Sequence, residues 1–331
     1  MRVVFFTPYY RQNRGNSTTA KRLEHGLSEK VELSLFSYEE VSVNPTLFEW
    51  MEKADLYHIL HFSRFVQWAE KNEVKLDKPY IITSGGTDLN HSLIEDEERY
   101  LPLLRKAKAI TVFTQQAKHV LVEDYGLSEN IVHVIPQSIF LPSTYPNSEV
   151  FTLPDGNPKL LLPAGIRPVK DVLFALQSMI RLSNDFSNLV LLIVGANLDS
   201  EEFSRVKEAE NKYDWLHYLP EVELSRMKKL YEWGDVVLNT SISEGQPTSL
   251  LEAMSFRKPV IARDNAGNAS IIQHGINGLL FQTQEELYHS IKKVITNQVM
   301  YKQFSDKGYQ TIEENHTMKK EIDSYMELYK V

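Results

Sequence analysis

Residues 235–254, DVVLNTSISEGQPTSLLEAM, contain the transition that decides the fold. Asp235–Asn239 is an apolar run of strand length, and a polar turn with glycine and proline follows it. A helical pattern then begins near Thr248. A strand, a short turn and a helix form the first part of a βαβ unit, so this stretch predicts a parallel sheet with helices packed on it.

The same alternation of apolar runs and helical patterns extends along the whole sequence. Strands are predicted at Val3–Thr7, Val31–Phe36, Leu56–Leu60, Tyr80–Thr83, Ala109–Phe113, Val132–Ile135, Lys159–Gly165, Leu189–Val194, His217–Leu219, Asp235–Asn239 and Pro259–Ala262. Helices are predicted between them, for example at Thr18–Leu27, Pro45–Lys53 and Leu101–Lys106. The pattern predicts an α/β protein built from two doubly wound, Rossmann-like sheets.

Composition narrows the functional classes. The 331 residues suggest two domains at about 150 residues each, and the net charge of −8 argues against a broad basic face for nucleic acid. The absence of cysteine excludes disulfides, thiolate nucleophiles and cysteine zinc sites. No apolar stretch approaches the roughly 18 residues of a membrane helix, and Met1–Pro8 resembles a first strand rather than a signal peptide. We therefore expect a cytoplasmic protein, with peripheral contact at the inner face of the membrane left open.

The segment Leu141–Pro158 loses periodicity and is rich in proline, which is typical of a linker. We place the domain boundary there, with an N-terminal domain of residues 1–148 and a C-terminal domain of residues 149–315. Two such domains are expected to face each other across a cleft. Open α/β sheets bind ligands beyond the carboxyl ends of their strands, so the loops that follow the strands are the candidate sites.

The turn after Asp235–Asn239 is the most informative of these loops. Thr248 or Ser249 is expected to cap the helix and leave its first amides available as an anion site. Glu244 and Glu252 would repel an anion but accept hydrogen bonds from neutral hydroxyls, so a ligand with both phosphate and polyol groups fits the stretch. The alternative is a helix start without a ligand, since the helix dipole by itself favours acidic residues there.

A second cluster, Ala164–Asp171, follows the first strand of the second half and carries Arg167 and Lys170. A guanidinium can bind a phosphate through two hydrogen bonds and an ammonium adds a compact charge, so the pair suits a diphosphate leaving group. A solvated surface loop is the alternative interpretation.

In the first half, Gly15 and Asn16 follow the first strand and precede a predicted helix. No segment contains G-x-G-x-x-G or the Walker pattern, which disfavours a dinucleotide cofactor. The turn Thr83–His91 presents Asp88 and His91, with a tight glycine turn as the alternative. His61 ends another strand, and no histidine pair has metal-binding spacing, so no metal site is expected.

These motifs together resemble the retaining glycosyltransferases of the GT4 family, which have the GT-B fold. The most specific match is the E-x7-E pattern of Ser243–Met254, followed by KPVIA at 258–262 and GINGL at 275–279. Supporting matches are Gly165 with Arg167 and Lys170, the strand end Leu192–Gly195, and VHVIPQS at 132–138. The resemblance covers most of the chain.

The resemblance implies roles for individual residues. Glu244 would contact hydroxyls of a donor sugar, Glu252 the ribose of its nucleotide, and Arg167 and Lys170 its diphosphate. The remaining residues expected to bind the donor are Gly165, Gly245, Gln246, Pro247, Thr248 and Ser249. The family needs no cofactor and typically no metal, and uridine is favoured over guanosine as the donor base. Its last helix, here residues 316–331, tends to pack back on the N-terminal domain.

The resemblance also implies that the acceptor binds to first-domain loops. Many members place a histidine after the fourth strand, where this chain has Ser84–Asp88, so that role is left to Asp88, His91 or His61. Gly15 and Asn16 are further candidates on this acceptor side. Lipid, protein, polysaccharide and small-molecule acceptors all remain open, as does the oligomeric state. A basic and aromatic cluster would suit a membrane-surface acceptor: Tyr9, Tyr10, Arg11, Arg14, Lys21 and Arg22.

The predicted function is thus transfer of a hexose from a nucleotide-diphospho-sugar, with retention of anomeric configuration and without metal. Two alternatives remain open: a nucleotide-sugar epimerase or hydrolase on the same fold, and a non-catalytic partner subunit that binds sugar nucleotides.

Overall fold

The computed structural model describes residues 1–12, 14–142 and 152–330, which belong to two compact units. Unit 1 comprises Met1–Phe140 together with His316–Val331, and unit 2 comprises Leu141–Asn315. The expected domain boundary between residues 148 and 149 lies outside the described residues. Each unit has its own sheet and its own core.

The regular elements alternate as the sequence predicts. The strands are β1 Arg2–Thr7, β2 Glu32–Ser37, β3 Leu56–Leu60, β4 Tyr80–Thr83, β5 Ala109–Val112, β6 Val132–Val134, β7 Lys159–Pro163, β8 Val190–Val194, β9 Leu216–Leu219, β10 Val236–Asn239, β11 Val260–Arg263 and β12 Leu279–Phe281. The α-helices are α1 Gly15–Leu27, α2 Pro45–Lys53, α3 Phe62–Lys71, α4 Leu93–Glu95, α5 Glu97–Lys106, α6 Gln115–His119, α7 Leu176–Asp185, α8 Ser200–Lys212, α9 Met227–Trp233, α10 Thr248–Ser255, α11 Ala266–Ala269, α12 Gln284–Thr296, α13 Gln298–Asn315 and α14 Met318–Lys330.

Both sheets are parallel and doubly wound. The strand order is β2-β1-β3-β4-β5-β6 in unit 1 and β12-β11-β10-β7-β8-β9 in unit 2. Strands such as β3, β4, β8 and β10 are buried along their whole length, which explains their continuous apolar sequences. The order of the strands reverses between β1 and β3 in unit 1 and between β7 and β10 in unit 2. Ligands bind at such switch points in open α/β sheets.

Helix α14 completes unit 1 although it is the last element of the chain. Its Glu321 forms a fully buried ion pair with Arg22 of α1, with Glu321 Oε2 2.9 Å from Arg22 Nε. Its Tyr329 hydroxyl lies 2.6 Å from Nδ1 of His58 in β3, and Tyr325 reaches Thr83 in β4. Buried polar contacts therefore join α14 to α1, β3 and β4.

The structure departs from the predicted elements at two places that matter for function. Helix α1 begins at Gly15 rather than Thr18, so Gly15 and Asn16 form its first turn instead of a loop. Strand β12 is an addition to the predicted set, and it pairs with β11 at the edge of the sheet in unit 2. The other predicted strands occur with bounds shifted by at most one residue, except that β7 ends at Pro163, two residues before its predicted end.

Candidate active site

Three loops of unit 2 meet at the carboxyl ends of β7, β10 and β11. These strands are neighbours in the sheet, with β10 in the centre. The loop after β7 carries Arg167 and Lys170, and the loop after β10 carries Glu244. Ile242 N donates to Val169 O at 2.9 Å, so the first two loops are also joined through their backbones. Lys170 and Glu244, both predicted from sequence, thus meet at the switch point of the sheet, and Arg167 lies on the same loop as Lys170.

Lys170 and Glu244 form the central contact of this site. Lys170 Nζ donates to Glu244 Oε1 at 2.6 Å, and the two side chains retain only 17% and 11% of their accessible surface. Asn239 Nδ2 donates to the same carboxylate oxygen at 3.1 Å. An ammonium has three donors, so Lys170 can hold Glu244 and still donate to a second acceptor.

The Glu244 carboxylate is held in its charged form. Burial by itself would raise the pKa of Glu244, but the charge and hydrogen bond of Lys170, with hydrogen bonds from Ser241 and Asn239, leave that pKa below its usual value. A carboxylate of this kind accepts hydrogen bonds and does not donate them. It is suited to bind hydroxyl groups rather than to deliver a proton.

Asn239 at the end of β10 contacts Glu244 and is itself held by Asn268, which follows β11. Asn268 Nδ2 donates to Asn239 Oδ1 at 3.3 Å and to Arg263 O at 2.8 Å, and Asn268 is fully buried. Gly267 packs directly beneath the loop, where a Cβ would lie 2.5 Å from Glu244 O and 2.6 Å from Glu244 Cβ. Any larger residue at 267 would displace the loop that presents the carboxylate.

Arg263 at the end of β11 holds the loop that carries Lys170. Its Nη1 donates to Asp171 Oδ2 at 2.7 Å, and its guanidinium lies over the ring of Phe174 at 4.5 Å from the centroid. Asp171 has φ +41°, in the left-handed region, directly after Lys170. Sequence analysis did not find Arg263, Asp171, Asn239 or Asn268, because their roles depend on contacts between separate loops.

Helix α10 begins differently from the prediction. Pro247, in extended conformation, is its N-cap, and Thr248 is its first helical residue, so the predicted cap by Thr248 or Ser249 is wrong. A capping side chain belongs to the N-cap residue, whose backbone is extended, and the side chain of proline has no oxygen that could accept a hydrogen bond. Within the described residues no side chain caps α10, so its first-turn amides keep the polarity that favours an anion.

The other expected donor-binding residues lie in or beside the same loops. Gln246 is nearly buried and donates to Ser270 Oγ at 3.4 Å, while Gly245 before it is half-buried. Gly165 is half-buried in the loop after β7. Arg167 is exposed there, and within the described ranges it forms no ion pair.

Glu252 lies one turn into α10 and is 4% exposed. It accepts a hydrogen bond from the Tyr231 hydroxyl at 2.6 Å, and the Tyr231 ring stacks on Phe256. The carboxylate and the burial together raise the pKa of Tyr231 well above its usual value, burial being the larger cause. Glu252 therefore has a fixed position on the same helix whose first turn lies beside Glu244.

Most of the acceptor-side candidates meet at the ends of β3 and β4 in unit 1. His61 is buried with φ +70°, and its Nδ1 lies 3.9 Å from Asp88 Oδ2. Asn16 and His61 both lie close to Gly85, since a Cβ on Gly85 would be 2.9 Å from Asn16 Oδ1 and 3.4 Å from His61 Cδ2. Burial lowers the pKa of His61. The charge of Asp88 raises that pKa and the charge of Arg64 lowers it, but the net shift is downward, so the ring is neutral at pH 7.

Asp88 is fully buried and holds this corner together. Its carboxylate accepts from Ser84 Oγ at 2.8 Å and from the amides of Phe62, Gly85 and Leu89 at 3.1–3.3 Å. His91 is exposed three residues later, and Gly15 is exposed at the first position of α1. Of the three candidates for the histidine role, His61 is the buried imidazole and His91 the exposed one.

The basic and aromatic cluster expected in the first loop is only partly correct. Arg22 does not belong to it, because its side chain is fully buried against Glu321 and Gln137. The Tyr10 hydroxyl donates a hydrogen bond to Glu24 of α1, so this side chain is also bound within unit 1. Arg14 instead lies over Tyr9 together with Arg64 of α3, a residue that sequence analysis missed.

Two properties of the described residues bear on metals and membranes. No group of three or more histidine and acidic side chains in this part of the chain has the geometry to hold a metal ion. Over the same residues, no helix is both long enough and apolar enough to cross a membrane.

Comparison with protein families gives one match that covers half of the chain. The model of the family described as glycosyl transferases group 1 matches residues 144–311. Among curated proteins, the chain is 26% identical over 338 residues to glycosyltransferase 1 domain-containing protein 1 of Xenopus tropicalis, covering 98% of this chain and 96% of that protein.

Solved structures show the same fold along the entire chain. HepE of Anabaena, in complex with UDP-glucose, has a TM-score of 0.78 at 14% identity and covers 100% of this chain and 99% of its own. Sucrose-phosphate synthase from Thermosynechococcus elongatus has a TM-score of 0.77 at 15% identity, with 99% and 98% covered. The predicted α/β fold of two doubly wound sheets, of the GT-B type, is thereby confirmed.

Proposed function

Since the chain belongs to the glycosyl transferases group 1 family, we propose that it transfers a hexose from a UDP-sugar to an acceptor with retention of anomeric configuration and without a metal ion. The contact between Lys170 and Glu244 at the switch point of unit 2 carries the proposal. A cation and a charged carboxylate lie side by side there, and a diphosphate attached to a sugar offers a group to each.

The diphosphate would bind between the loop after β7 and the first turn of α10. Lys170 has donors left after its contact with Glu244, and Arg167 is exposed on the same loop. The uncapped amides of α10 add partial positive charge. Glu244 would then accept hydrogen bonds from sugar hydroxyls, and Glu252 from the hydroxyls of the ribose.

In the proposed reaction the bond between the anomeric carbon and the diphosphate oxygen breaks. The acceptor oxygen bonds to the anomeric carbon on the same face, and its proton passes to the departing diphosphate oxygen. Arg167 and Lys170 would stabilise the negative charge that develops on the diphosphate, and fixed charges of this kind are usually the largest contribution that a protein makes. The charged state of Glu244 favours a positioning role over that of a proton donor.

The choice of UDP rests on two kinds of support. Structures of HepE, which has the same fold, contain UDP, UDP with glucose, and UDP-glucose. Uridine is also the commoner base among the glycosyltransferases that this sequence resembles. The two cations of the loop after β7 would stabilise the negative charge of the departing diphosphate, as a divalent ion does in metal-dependent enzymes, which supports metal-independent transfer.

The proposal is tested by following UDP release from UDP-glucose, UDP-galactose and UDP-N-acetylglucosamine with a mixed panel of acceptors in EDTA. We expect release from one donor that depends on an acceptor, and a loss of about 100-fold or more in Glu244→Gln, because a misplaced reacting group costs about that much. Glu285→Gln is the matched control, since Glu285 also pairs with a basic side chain, that of Arg181, but lies exposed on α12.

Equal rates in wild type and Glu244→Gln, with both proteins folded by circular dichroism, would contradict the proposed site. Conversion of the donor without any acceptor would favour an epimerase or hydrolase instead. Proton NMR of the first product formed distinguishes retention from inversion at the anomeric carbon.

A further inference from the structure

Unit 1 contains a second cationic cluster that the proposed donor site does not use. We call it the Tyr9 cluster, and it consists of Tyr9, Arg14 and Arg64. The guanidinium carbon of Arg14 lies 4.4 Å from the centroid of the Tyr9 ring and that of Arg64 lies 5.5 Å from it. Arg64 Nη1 also donates to the Tyr9 hydroxyl at 3.2 Å. Arg14 is exposed and the other two residues are half-buried, so the cluster is accessible to a ligand.

The two guanidinium groups carry charge that the described part of the chain does not neutralise. Neither arginine forms an ion pair with any carboxylate of residues 1–12, 14–142 or 152–330. Glu40, which contacts the same loop, accepts instead from the amides of Tyr10, Arg11 and Gln12 at 3.0–3.1 Å. Its charge thus fixes the backbone of the loop. Two like charges beside one ring repel each other, and a bound anion would relieve that repulsion.

The position of the Tyr9 cluster is that of a ligand site. Tyr9 follows β1 and Arg64 lies in the first turn of α3, directly after β3. Strands β1 and β3 are neighbours, and the strand order of unit 1 reverses between them. The cluster therefore lies at the switch point of its sheet, as the contact between Lys170 and Glu244 does in unit 2.

The shape of the cluster favours phosphate over carboxylate. A planar carboxylate presents its two oxygens in one plane, which matches the two parallel hydrogen bonds of a single guanidinium. A phosphate group carries its two or three non-bridging oxygens on a tetrahedral centre and can accept from two guanidinium groups that approach from different directions. Tyr9 supports both groups from one ring, which limits the freedom that each arginine would lose on binding.

We propose that Arg14 and Arg64, held on Tyr9, bind a phosphate group of the acceptor substrate. The inference rests on the proposed function, since it identifies the chemical class of the acceptor for the same transfer. The phosphate-bearing acceptor is a soluble phosphate ester or the headgroup of an anionic lipid. Both present non-bridging phosphate oxygens to the two guanidiniums, so the source is decided by experiment.

The test measures binding of four probes by calorimetry and vesicle sedimentation: inorganic phosphate, glycerol 3-phosphate, glucose 6-phosphate, and vesicles of phosphatidylglycerol compared with phosphatidylcholine. Wild type is expected to bind at least one phosphate-bearing probe. Arg14→Gln and Arg64→Gln should each weaken that binding about tenfold or more, because each removes a charge-assisted hydrogen bond. Arg105→Gln, an exposed arginine of α5 in the same unit, is the control and should change it by less than twofold.

Binding of a soluble ester that both variants weaken supports the proposal and identifies a soluble acceptor. Binding confined to phosphatidylglycerol vesicles, weakened in the same way, supports it and identifies a lipid headgroup. Absence of binding to every probe, or binding that both variants leave within twofold of wild type, overturns it. UDP binding is measured on the same proteins. Normal UDP binding without phosphate binding refutes this inference alone, whereas absence of UDP binding to wild type refutes the proposed function.

Discussion

The buried ion pair between Arg22 and Glu321 gives the most quantitative prediction. Glu321 accepts from Arg22 Nε at 2.9 Å, from Ser138 N at 3.0 Å and from Ser138 Oγ at 2.5 Å, and both charged side chains are 0% exposed. Arg22 Nη1 has no hydrogen-bond partner among the described residues. The guanidinium therefore depends on Glu321 for its neutralisation.

Glu321→Gln keeps the size of the side chain but replaces one acceptor oxygen with a donor. Two charge-assisted hydrogen bonds at about 1.5–3 kcal/mol each are then lost or weakened, in agreement with about 3–5 kcal/mol for breaking a buried pair on one side. For a unit of this size, about 2–4 °C per kcal/mol converts that loss into a melting temperature about 6–20 °C lower for unit 1.

The assay is thermal and urea unfolding followed by circular dichroism, with Glu327→Gln as the control, because Glu327 is an exposed carboxylate of the same helix. The control should stay within about 0.5 kcal/mol of wild type. Arg22→Met combined with Glu321→Gln should lose less stability than the two single changes together, by at least about 1 kcal/mol. Additive losses, or a Glu321→Gln protein within 1 kcal/mol of wild type, would refute the reasoning.

Three further predictions concern single residues. Burial lowers the pKa of His58 to about 3, so as pH drops below about 6.5 the unfolded chain binds a proton that the folded chain does not, and the free energy of unfolding should fall by about 1.4 kcal/mol per pH unit. His58→Gln should reduce that slope by one proton in urea titrations at pH 5, 6 and 7. An unchanged slope would show that His58 is not the group responsible. Gly267→Ala should slow transfer about tenfold or more by displacing the Glu244 loop, while unfolding shifts by only about 1–3 kcal/mol, and a full transfer rate would contradict the packing. Tyr231→Phe leaves the ring stacked but removes the hydroxyl from buried Glu252, which should cost about 1.5–3 kcal/mol in urea unfolding, and a change below about 0.5 kcal/mol would show that the bond is unimportant.

The strands were predictable from sequence because most of them are buried on both faces. A strand such as Val190–Val194 has no polar side to present, so its apolar run marks its position. Strand β12, Leu279–Phe281, was missed because it has only three residues and lies at the edge of its sheet. A run that short has no periodicity to detect.

The candidate site was predictable where its residues lie in one loop and not where they come from several. Glu244 and Lys170 were found because each follows a strand within a distinctive local sequence. Arg64 and Asn268 gave no such signal, since their contacts come from packing between loops that are far apart in the chain. Arg22 was misplaced for the same reason: its partner, Glu321, lies 299 residues away, and local sequence cannot distinguish a buried arginine from an exposed one.

Lys170 and Glu244 are proposed to form part of a site for a nucleotide diphosphate. Calorimetric titration of UDP in EDTA, with wild type, Lys170→Gln and Lys292→Gln, tests it most directly, because Lys292 is a lysine of α12 that pairs with an acidic residue outside the site. We predict that wild type and Lys292→Gln bind UDP equally, and that Lys170→Gln binds it at least about tenfold more weakly through the loss of a charge-assisted hydrogen bond. Equal UDP affinity in all three folded proteins would contradict the account.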